Sequence, residues 1–252
     1  MEARIYGLIG RTLKHSYSVS IHRALGNEAY ALFELEPEAL GAFLSRGDLG
    51  GLNVTIPYKR DVMRYCAKLD DSAREIGAVN TIVRGENGKL TGYNTDAYGL
   101  GYMAARAGIS FAGKKVLVFG SGGASLTAQY VARQGGARAV VVVSRGGEEN
   151  YENLDRHLDA EVLINATPVG MYPNTEATPA DPALFSRCAG VLDLVYNPRT
   201  TALLYRARAL GIPCAGGLNM LVAQAKAAEE LFFGRAIAEG ESERIASLLR
   251  RE

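Results

Sequence analysis

Lys59 and Asp96 are the residues of this chain best suited to moving a proton. The segment NVTIPYK reads as a strand that becomes a helix at Pro57, which predicts that Lys59 lies in the first helical turn. The positive end of a helix dipole eases proton loss from an ammonium, and a carboxylate beside it would orient it. The pair therefore indicates acid/base chemistry of the kind that accompanies hydride transfer at a secondary alcohol. A solvated surface lysine is the alternative interpretation.

Three pairs of polar residues, each with a spacing of two, occur on segments that we predict to be extended. That spacing puts both side chains of a pair on one face. If the segments end at the same edge of a sheet, the six groups line one crevice, where open α/β sheets bind ligands. Each pair alone is also compatible with turn, cap or edge-strand residues. The pairs are Ser16 with Ser18, Asn53 with Thr55, and Asn94 with Asp96.

A glycine cluster between an apolar run and a helical stretch predicts a dinucleotide site. Residues 115–124 read KVLVFGSGGA, and SLTAQYVARQ follows. Glycines allow a tight turn and a close approach to a pyrophosphate, whose charge the start of a helix favours. Roughly 20 residues on, where such domains read the ribose, AVVVV ends in Ser144 and Arg145, and an arginine there suits the 2′-phosphate of NADP. A plain surface arginine is the alternative.

The composition favours a small-molecule partner. With 28 basic and 27 acidic side chains in 252 residues, the chain has no net field that would draw nucleic acid or an anionic membrane. The cysteines and histidines lack the spacing of a disulfide framework or a metal site, so we expect reduced, buried thiols and no metal. They are Cys66, Cys188, Cys214, His15, His22 and His157. Because no signal peptide or membrane-spanning run is present, we expect a cytoplasmic protein. We expect it to be either a monomer or a homodimer.

The order of elements predicts an α/β protein with two domains. Strand-like runs at 4–9, 29–35 and 51–56 alternate with helical stretches, and two further runs flank the favourable hairpin turn Asn87-Gly88, so the first sheet is predicted to be mixed. Helical spacing over 97–107, stopped by Gly108, predicts a connecting helix.

A second set of strand-like runs predicts a Rossmann-type sheet after that helix. The runs centre on Val116, Val140, Val162 and Val191 and finish at 212–215, and the pattern after Gly216-Gly217 is helical. We therefore predict an N-terminal mixed-sheet α/β substrate domain of residues 1–96 plus 217–252. Residues 97–216 are predicted to form a Rossmann-type dinucleotide-binding domain.

In these motifs and in their order, almost the whole chain resembles the shikimate dehydrogenases. The segments that carry the resemblance are HSYS (15–18), GLNVTIPYK (51–59), IGAVNT (76–81), GYNTD (92–96), FGSGGA (119–124), NATPVGM (165–171), DLVYNP (193–198) and GLNMLVAQA (217–225). The resemblance implies NADP-dependent interconversion of shikimate and 3-dehydroshikimate, on the route to chorismate and the aromatic amino acids.

The resemblance also implies roles for individual residues. Lys59 would be the proton donor and acceptor with Asp96 alongside, and Ser16 and Ser18 would hold the substrate carboxylate. The residues implied to grip the ring hydroxyls are Thr55, Asn80, Asp96, Tyr196 and Gln224. Those implied to bind the cofactor are Gly120, Ser121, Gly122, Gly123 and Ala124 at the pyrophosphate, Ser144 and Arg145 at the adenosine phosphate, Leu194, Gly217 and Met220 near the nicotinamide, and Asp71.

Some positions depart from the family pattern. Thr12 and Val19 replace prolines around the serine pair, which leaves the preference between shikimate and quinate open. Glu149 stands where a second basic residue is expected, and its carboxylate would repel a 2′-phosphate, so use of NAD also stays open. The alternatives are thus an NAD-using quinate or quinate/shikimate dehydrogenase and, in a different class, a non-catalytic sensor of a nucleotide or cyclic acid.

Overall fold

The computed structural model describes residues 4–13 and 16–249, which form two compact units. Unit 1 comprises residues 1–96 and 224–252, and unit 2 comprises residues 97–223. The first boundary between these units lies after Asp96. The second lies after Ala223, whereas the prediction put it after Gly216.

Unit 1 contains a mixed six-stranded sheet, as the hairpin signal indicated. In chain order the strands are β1 (Ile5–Gly10), β2 (Tyr30–Glu34), β3 (Leu49–Val54), β4 (Lys68–Leu69), β5 (Thr81–Arg84) and β6 (Leu90–Tyr93). Their order across the sheet is β2-β1-β3-β5-β6-β4. β1 is parallel to β2 and β3, while β5 is antiparallel to β3 and β6. Gly88, at a φ of +74°, closes the β5–β6 hairpin, a backbone conformation that glycine adopts without strain.

Short helices and a long C-terminal helix accompany this sheet. They are α1 (Ser18–Ala24), α2 (Leu40–Leu44), α3 (Asp71–Ile76), α4 (Thr95–Arg106), of which unit 1 holds the start, α7 (Leu218–Phe233), of which it holds the end, and α8 (Glu241–Leu249). The core joins aliphatic side chains of β1, β3 and β5, such as Ile9, Leu52 and Ile82, to the fully buried ring of Tyr58. Burial of these apolar surfaces is the main force that holds the loops after the strands in place.

Unit 2 contains a parallel five-stranded sheet with the predicted strands. They are β7 (Lys115–Phe119), β8 (Ala139–Val143), β9 (Val162–Asn165), β10 (Gly190–Asp193) and β11 (Cys214–Gly216), in the order β11-β10-β9-β7-β8. Every pairing between them is parallel. The helices α5 (Gly123–Gln134) and α6 (Ala202–Ala209) follow β7 and β10 in the chain, which is the alternation of a doubly wound dinucleotide fold.

The chain passes between the two units inside helices at both places. The first boundary falls within α4 and the second within α7. Asp96 is the last residue of unit 1 before the first crossing, and Gln224 is the first residue of unit 1 after the second. Among the helices of the described residues, none has the length and apolar character to cross a membrane.

Candidate active site

Lys59 and Asp96 are in direct contact in unit 1. The Nζ atom of Lys59 donates a hydrogen bond to Oδ2 of Asp96 at 2.6 Å. The side chains keep 29% and 17% of their surface exposed, respectively, so the pair is accessible without being fully solvated. A charge-assisted bond of this length fixes the ammonium and leaves its other hydrogens available to a ligand. The predicted contact between these two groups is therefore confirmed.

The prediction that Lys59 lies in a helical turn is wrong. Lys59 belongs to a run of turns that follows the cis Ile56–Pro57 bond, and only a short 3₁₀ helix, Asp61–Tyr65, comes after it. The Lys59 carbonyl accepts from the Val79 N–H at 2.7 Å, so it is bonded to a distant loop and cannot continue a helix. Placement of this lysine thus depends on tertiary pairing and not on a helix that runs through it.

Asn80 fixes the start of α4, the helix that carries Asp96. Its Oδ1 atom accepts from the Thr95 N–H at 2.7 Å, and its Nδ2 atom donates to Oγ1 of Thr95 at 3.0 Å. The same Nδ2 atom lies 3.5 Å from Oε1 of Gln224. Asn80 is buried and Gln224 half-buried. Of the residues implied to contact the substrate ring, the structure therefore brings Asn80 and Gln224 together, and Asp96 follows Thr95 directly.

The prediction that Asn53 and Asn94 line a crevice is wrong. Both are buried, and Asn53 accepts from the Tyr30 hydroxyl at 2.7 Å and donates to Oγ1 of Thr81 at 3.1 Å. Asn94 donates to the carbonyl of Ala78 at 2.9 Å. β3 is an internal strand, flanked by β1 and β5, so the polar side chain of Asn53 meets neighbouring strands. Spacing along the chain predicts a shared face but not which face the core covers.

Unit 1 contains a second polar cluster, around His22 and Glu229, which the sequence did not indicate. His22 and Glu229 form a buried pair through Nδ1 and Oε1, and Asn27 donates to the same oxygen at 2.9 Å. The ring of His22 stacks on Tyr30 with 3.7 Å between centroids, and burial lowers the pKa of His22. The hydroxyl of Tyr30 in turn donates to Asn53. The only local signal for this cluster was an acidic residue, Glu229, on the apolar face of α7.

Ser16 and Ser18 lie together at the start of α1. The Ser18 N–H donates to Oγ of Ser16 at 3.1 Å, so the Ser16 hydroxyl hydrogen stays available to another acceptor. Both serines are half-buried, and so is Thr55, which follows β3. His15, which precedes the pair in the HSYS segment, lies outside the described residues.

In unit 2 the glycine cluster forms the turn between β7 and α5. Gly120 has a φ of +106°, and a Cβ there would come within 2.9 Å of Thr167 and 3.0 Å of the Ala166 carbonyl, so only glycine fits. At Gly122 and Gly123 a Cβ would meet no described heavy atom within 4 Å, and α5 begins without a side-chain cap. Open space before an uncapped helix start fits a pyrophosphate. The residues of the cluster, Gly120, Ser121, Gly122, Gly123 and Ala124, thus suit the dinucleotide that the sequence predicted.

Ser144 and Arg145 follow β8, as predicted, and the chain then folds back. The Ser144 N–H donates to the carbonyl of Glu149 at 3.1 Å, which brings Glu149 next to the arginine-bearing turn. Arg145 is exposed. The Glu149 carboxylate lies 3.0 Å from Nε2 of His157.

The residues after β9 and β10 are held by a buried carboxylate. Asp193 accepts from the Val195 N–H at 3.0 Å, from Asn165 at 2.9 Å and from the Thr201 hydroxyl at 2.5 Å. Burial raises the pKa of Asp193 to about 6, although these hydrogen bonds oppose the shift. Its contacts fix the turn that contains Leu194 and Tyr196. The resemblance implied that Leu194 lies near the nicotinamide and that Tyr196 contacts the ring hydroxyls of the substrate.

Gly217 approaches the backbone of this turn closely. A Cβ at Gly217 would lie 2.2 Å from the Leu194 carbonyl oxygen, so no other residue fits, and the Gly217 N–H donates to the Val195 carbonyl at 3.1 Å. Leu194 and Met220 are partly buried against the core of unit 2, while Tyr196 is exposed. Gly217 therefore holds a tightly packed junction between β11 and α7.

Asp71, the cysteines and the possible metal ligands are the remaining residues for which the sequence made a prediction. Asp71 lies in the first turn of α3 with 86% of its side chain exposed and pairs with Arg74. The cysteines are free, as expected, but half-buried rather than buried, and burial raises the pKa of Cys66 to about 11. Within the described residues, no group of three or more His, Cys, Asp or Glu side chains could hold a metal ion.

Comparison with known proteins agrees with this arrangement. The family model described as the shikimate dehydrogenase substrate binding domain matches residues 8–82. The shikimate dehydrogenase (NADP(+)) of Clostridium beijerinckii is 38% identical over 246 residues, which cover 90% of this chain and 91% of that protein.

Two solved structures give the same result. One is a chorismate mutase/shikimate 5-dehydrogenase fusion protein from Clostridium acetobutylicum, with a TM-score of 0.94, 36% identity and coverage of 100% of this chain and 98% of that one. The other is the shikimate 5-dehydrogenase of Thermus thermophilus in complex with NADP(H) and shikimate, with a TM-score of 0.85, 31% identity and coverage of 97% and 99%. From these identities over nearly its whole length, the chain belongs to the shikimate dehydrogenase family.

Proposed function

We propose that this protein is an NADP-dependent shikimate dehydrogenase, which reversibly reduces 3-dehydroshikimate to shikimate in chorismate and aromatic amino acid biosynthesis. The observation that carries the proposal is the 2.6 Å contact between Lys59 and Asp96, beside the start of α4 that Asn80 fixes. Family membership supplies the substrate class, and the open, uncapped glycine turn before α5 suits the dinucleotide.

Lys59 acts as the proton donor and acceptor of the reaction. In the direction of reduction, NADPH when bound supplies a hydride to the ketone carbon, and the ketone oxygen becomes a hydroxyl by taking a proton from Nζ of Lys59. In the reverse direction Lys59 takes the hydroxyl proton back. Asp96 accepts one ammonium hydrogen, which orients Nζ and stabilises its charged form.

The other polar residues of unit 1 orient the substrate. Ser16 and Ser18 donate to the ring carboxylate, and Ser16 is prepared for this because its oxygen already accepts from the Ser18 N–H. Asn80 and Gln224 present amide groups to the ring hydroxyls from a shared position, and Thr55 completes the set in this unit. A carboxylate and several hydroxyls held at once define both the face and the position of the ring.

A four-way assay tests the proposal. Shikimate and quinate are each offered with NADP and with NAD, and the reduced nicotinamide is followed by its absorbance. We expect the highest kcat/KM for shikimate with NADP. Faster turnover of quinate with NAD would assign the protein to the quinate-using branch, and binding without turnover of any combination would make it a sensor. Lys59→Ala is the matched inactive control, and Lys89→Ala, in the exposed β5–β6 turn, is the control for loss of a lysine.

A further inference from the structure

Glu149 and His157 form a mostly buried pair in unit 2 that the catalytic assignment does not use. Oε2 of Glu149 and Nε2 of His157 are 3.0 Å apart, with 30% and 11% of the respective side chains exposed. Neither His157 nitrogen has a hydrogen-bond partner among the described residues, and neither does this Oε2 atom. The two atoms are thus within ion-pair distance without the geometry of an aligned hydrogen bond, and one carboxylate oxygen is turned into the protein.

The backbone of Glu149 lies in the loop that follows β8. The Ser144 N–H donates to the Glu149 carbonyl at 3.1 Å, and the Gly147 N–H donates to the Ser144 carbonyl at 3.2 Å. These bonds fold residues 144–149 into a tight loop, so Glu149 and Arg145 belong to the same short segment. In dinucleotide folds the end of this strand reads the ribose next to the adenine.

The loop therefore carries two opposite signals for the cofactor. An acidic side chain at this place favours NAD, because it accepts a hydrogen bond from the ribose 2′-hydroxyl, whereas an arginine favours the 2′-phosphate of NADP. Arg145 is exposed and available to a phosphate. Oε2 of Glu149 is buried against His157 instead.

We propose that His157 sets the cofactor preference by retaining the Glu149 carboxylate, so that Arg145 alone reads the 2′ position. This inference rests on the proposed function, because it concerns the dinucleotide of that reaction. Without the imidazole, the carboxylate loses its inward partner and turns to the ribose, where it accepts from the 2′-hydroxyl of NAD and repels the 2′-phosphate of NADP. His157 is thus a positioning residue that acts through Glu149.

A double-mutant cycle tests this relation by calorimetric titration of NADP and NAD into the full chain. For His157→Gln we expect NADP to bind about tenfold or more weakly, the size expected for one partly buried charge near a phosphate, while NAD binds unchanged or more tightly. In a Glu149→Gln background, the same His157→Gln change is expected to leave the NADP-to-NAD ratio unaltered. Glu148→Gln, which removes the exposed neighbouring carboxylate, is the matched control and is expected to change the ratio by less than about twofold.

The single variant Glu149→Gln tests the inference even if His157→Gln does not fold. Because the wild-type carboxylate is already turned away, we expect only a small change in NADP affinity; a gain of about tenfold would mean that Glu149 faces the phosphate, and would overturn the inference. Equal losses of NADP and NAD in His157→Gln would also overturn it, since His157 would then support the fold only. A wild type that binds neither nucleotide refutes the proposed function itself, whereas NADP preference without coupling refutes this inference alone.

Discussion

Gln224 and Glu229 lie on the same helix, α7, and a series of hydrogen bonds and one ring stacking through the sheet of unit 1 joins their side chains. From Glu229 the series passes to His22, whose ring stacks on Tyr30, and the Tyr30 hydroxyl donates to Asn53 on β3. The rest of it runs through Thr81 and Asn80 to Gln224. Buried polar networks of this kind rigidify a structure when every member is satisfied. The position of α7, and with it Gln224, is therefore tied to the residue that fixes the start of α4.

Thr81→Val removes the hydroxyl in the middle of this network without changing the shape of the side chain. Asn53 and Asn80 each lose a partner, so we expect a loss of about 1 to 3 kcal/mol in the free energy of unfolding. We also expect the KM for shikimate to rise by more than the KM for NADP, because Asn80 and Gln224 are no longer held in register. Steady-state kinetics and thermal unfolding measure both. Thr91→Val on β6 is the control; an equal rise in KM there would indicate general loosening of the sheet.

Lys59→Ala is expected to lower kcat by roughly 100-fold or more with little change in KM, because a proton donor acts mainly in the transition state. Asp96→Asn should lower kcat by a smaller factor, since the amide still contacts Nζ but no longer stabilises its charge. Initial rates with saturating NADP give both values. A modest loss of turnover with a large rise in KM would reassign Lys59 to substrate binding.

Ser16→Ala combined with Ser18→Ala should raise the KM for shikimate. Each donor to a charged carboxylate is worth roughly 1.5 to 3 kcal/mol, so the double variant, which loses two donors, should bind the acid at least about 100-fold more weakly. Ser20→Ala, on the exposed side of the same helix α1, is the control. An unchanged KM in the double variant would remove both serines from the substrate site.

Arg145→Ala is expected to weaken NADP far more than NAD, because the guanidinium pairs with the 2′-phosphate that only NADP carries. Titration of each cofactor gives the two dissociation constants. Arg156→Ala, an exposed arginine farther along the chain, serves as the control for loss of one positive charge. If both cofactors lost the same affinity, Arg145 would not be the residue that reads the phosphate.

Asp193 is expected to make stability depend on pH. Burial raises its pKa from 3.8 to about 6, so its contribution is fully present below the unfolded value and is lost as pH rises through about 6. Between about pH 5 and about pH 7.5 the wild type should therefore lose about 1.4 kcal/mol of stability relative to Asp193→Asn, which is roughly half of the full effect of the raised pKa. The midpoint of urea unfolding at both values measures this. Asp155→Asn, at an exposed carboxylate, should show no such difference; a constant gap between wild type and Asp193→Asn would contradict the raised pKa.

Local patterns predicted most of the elements, because they depend on neighbouring residues. Apolar runs gave the strands of both sheets except the two-residue strand β4, and Asn87-Gly88 gave the hairpin. Gly108, at a φ of +67°, follows α4 as the helix stop that the sequence indicated. The glycine turn before α5 was found for the same reason, since its residue types serve its own backbone.

The contacts that could not be predicted from the sequence join residues that are far apart in the chain. The Lys59 carbonyl bonds to Val79, and no local pattern reveals that this bond replaces a helical one. His22 and Glu229 meet across most of the length of the chain. The inward turn of Glu149 depends in the same way on His157, which lies in a separate 3₁₀ helix.

The helical crossings between the two units limit how this enzyme can be engineered. Domains are usually joined by loops that tolerate added or missing residues. Here one residue inserted after Asp96, or before Gln224, would turn the helix on one side of the insertion by about 100° relative to the other. When unit 2 is grafted onto another substrate-binding unit, the residues added or removed at each crossing should therefore make up whole helical turns. Asp96 and Gln224 then keep their orientation on the helices.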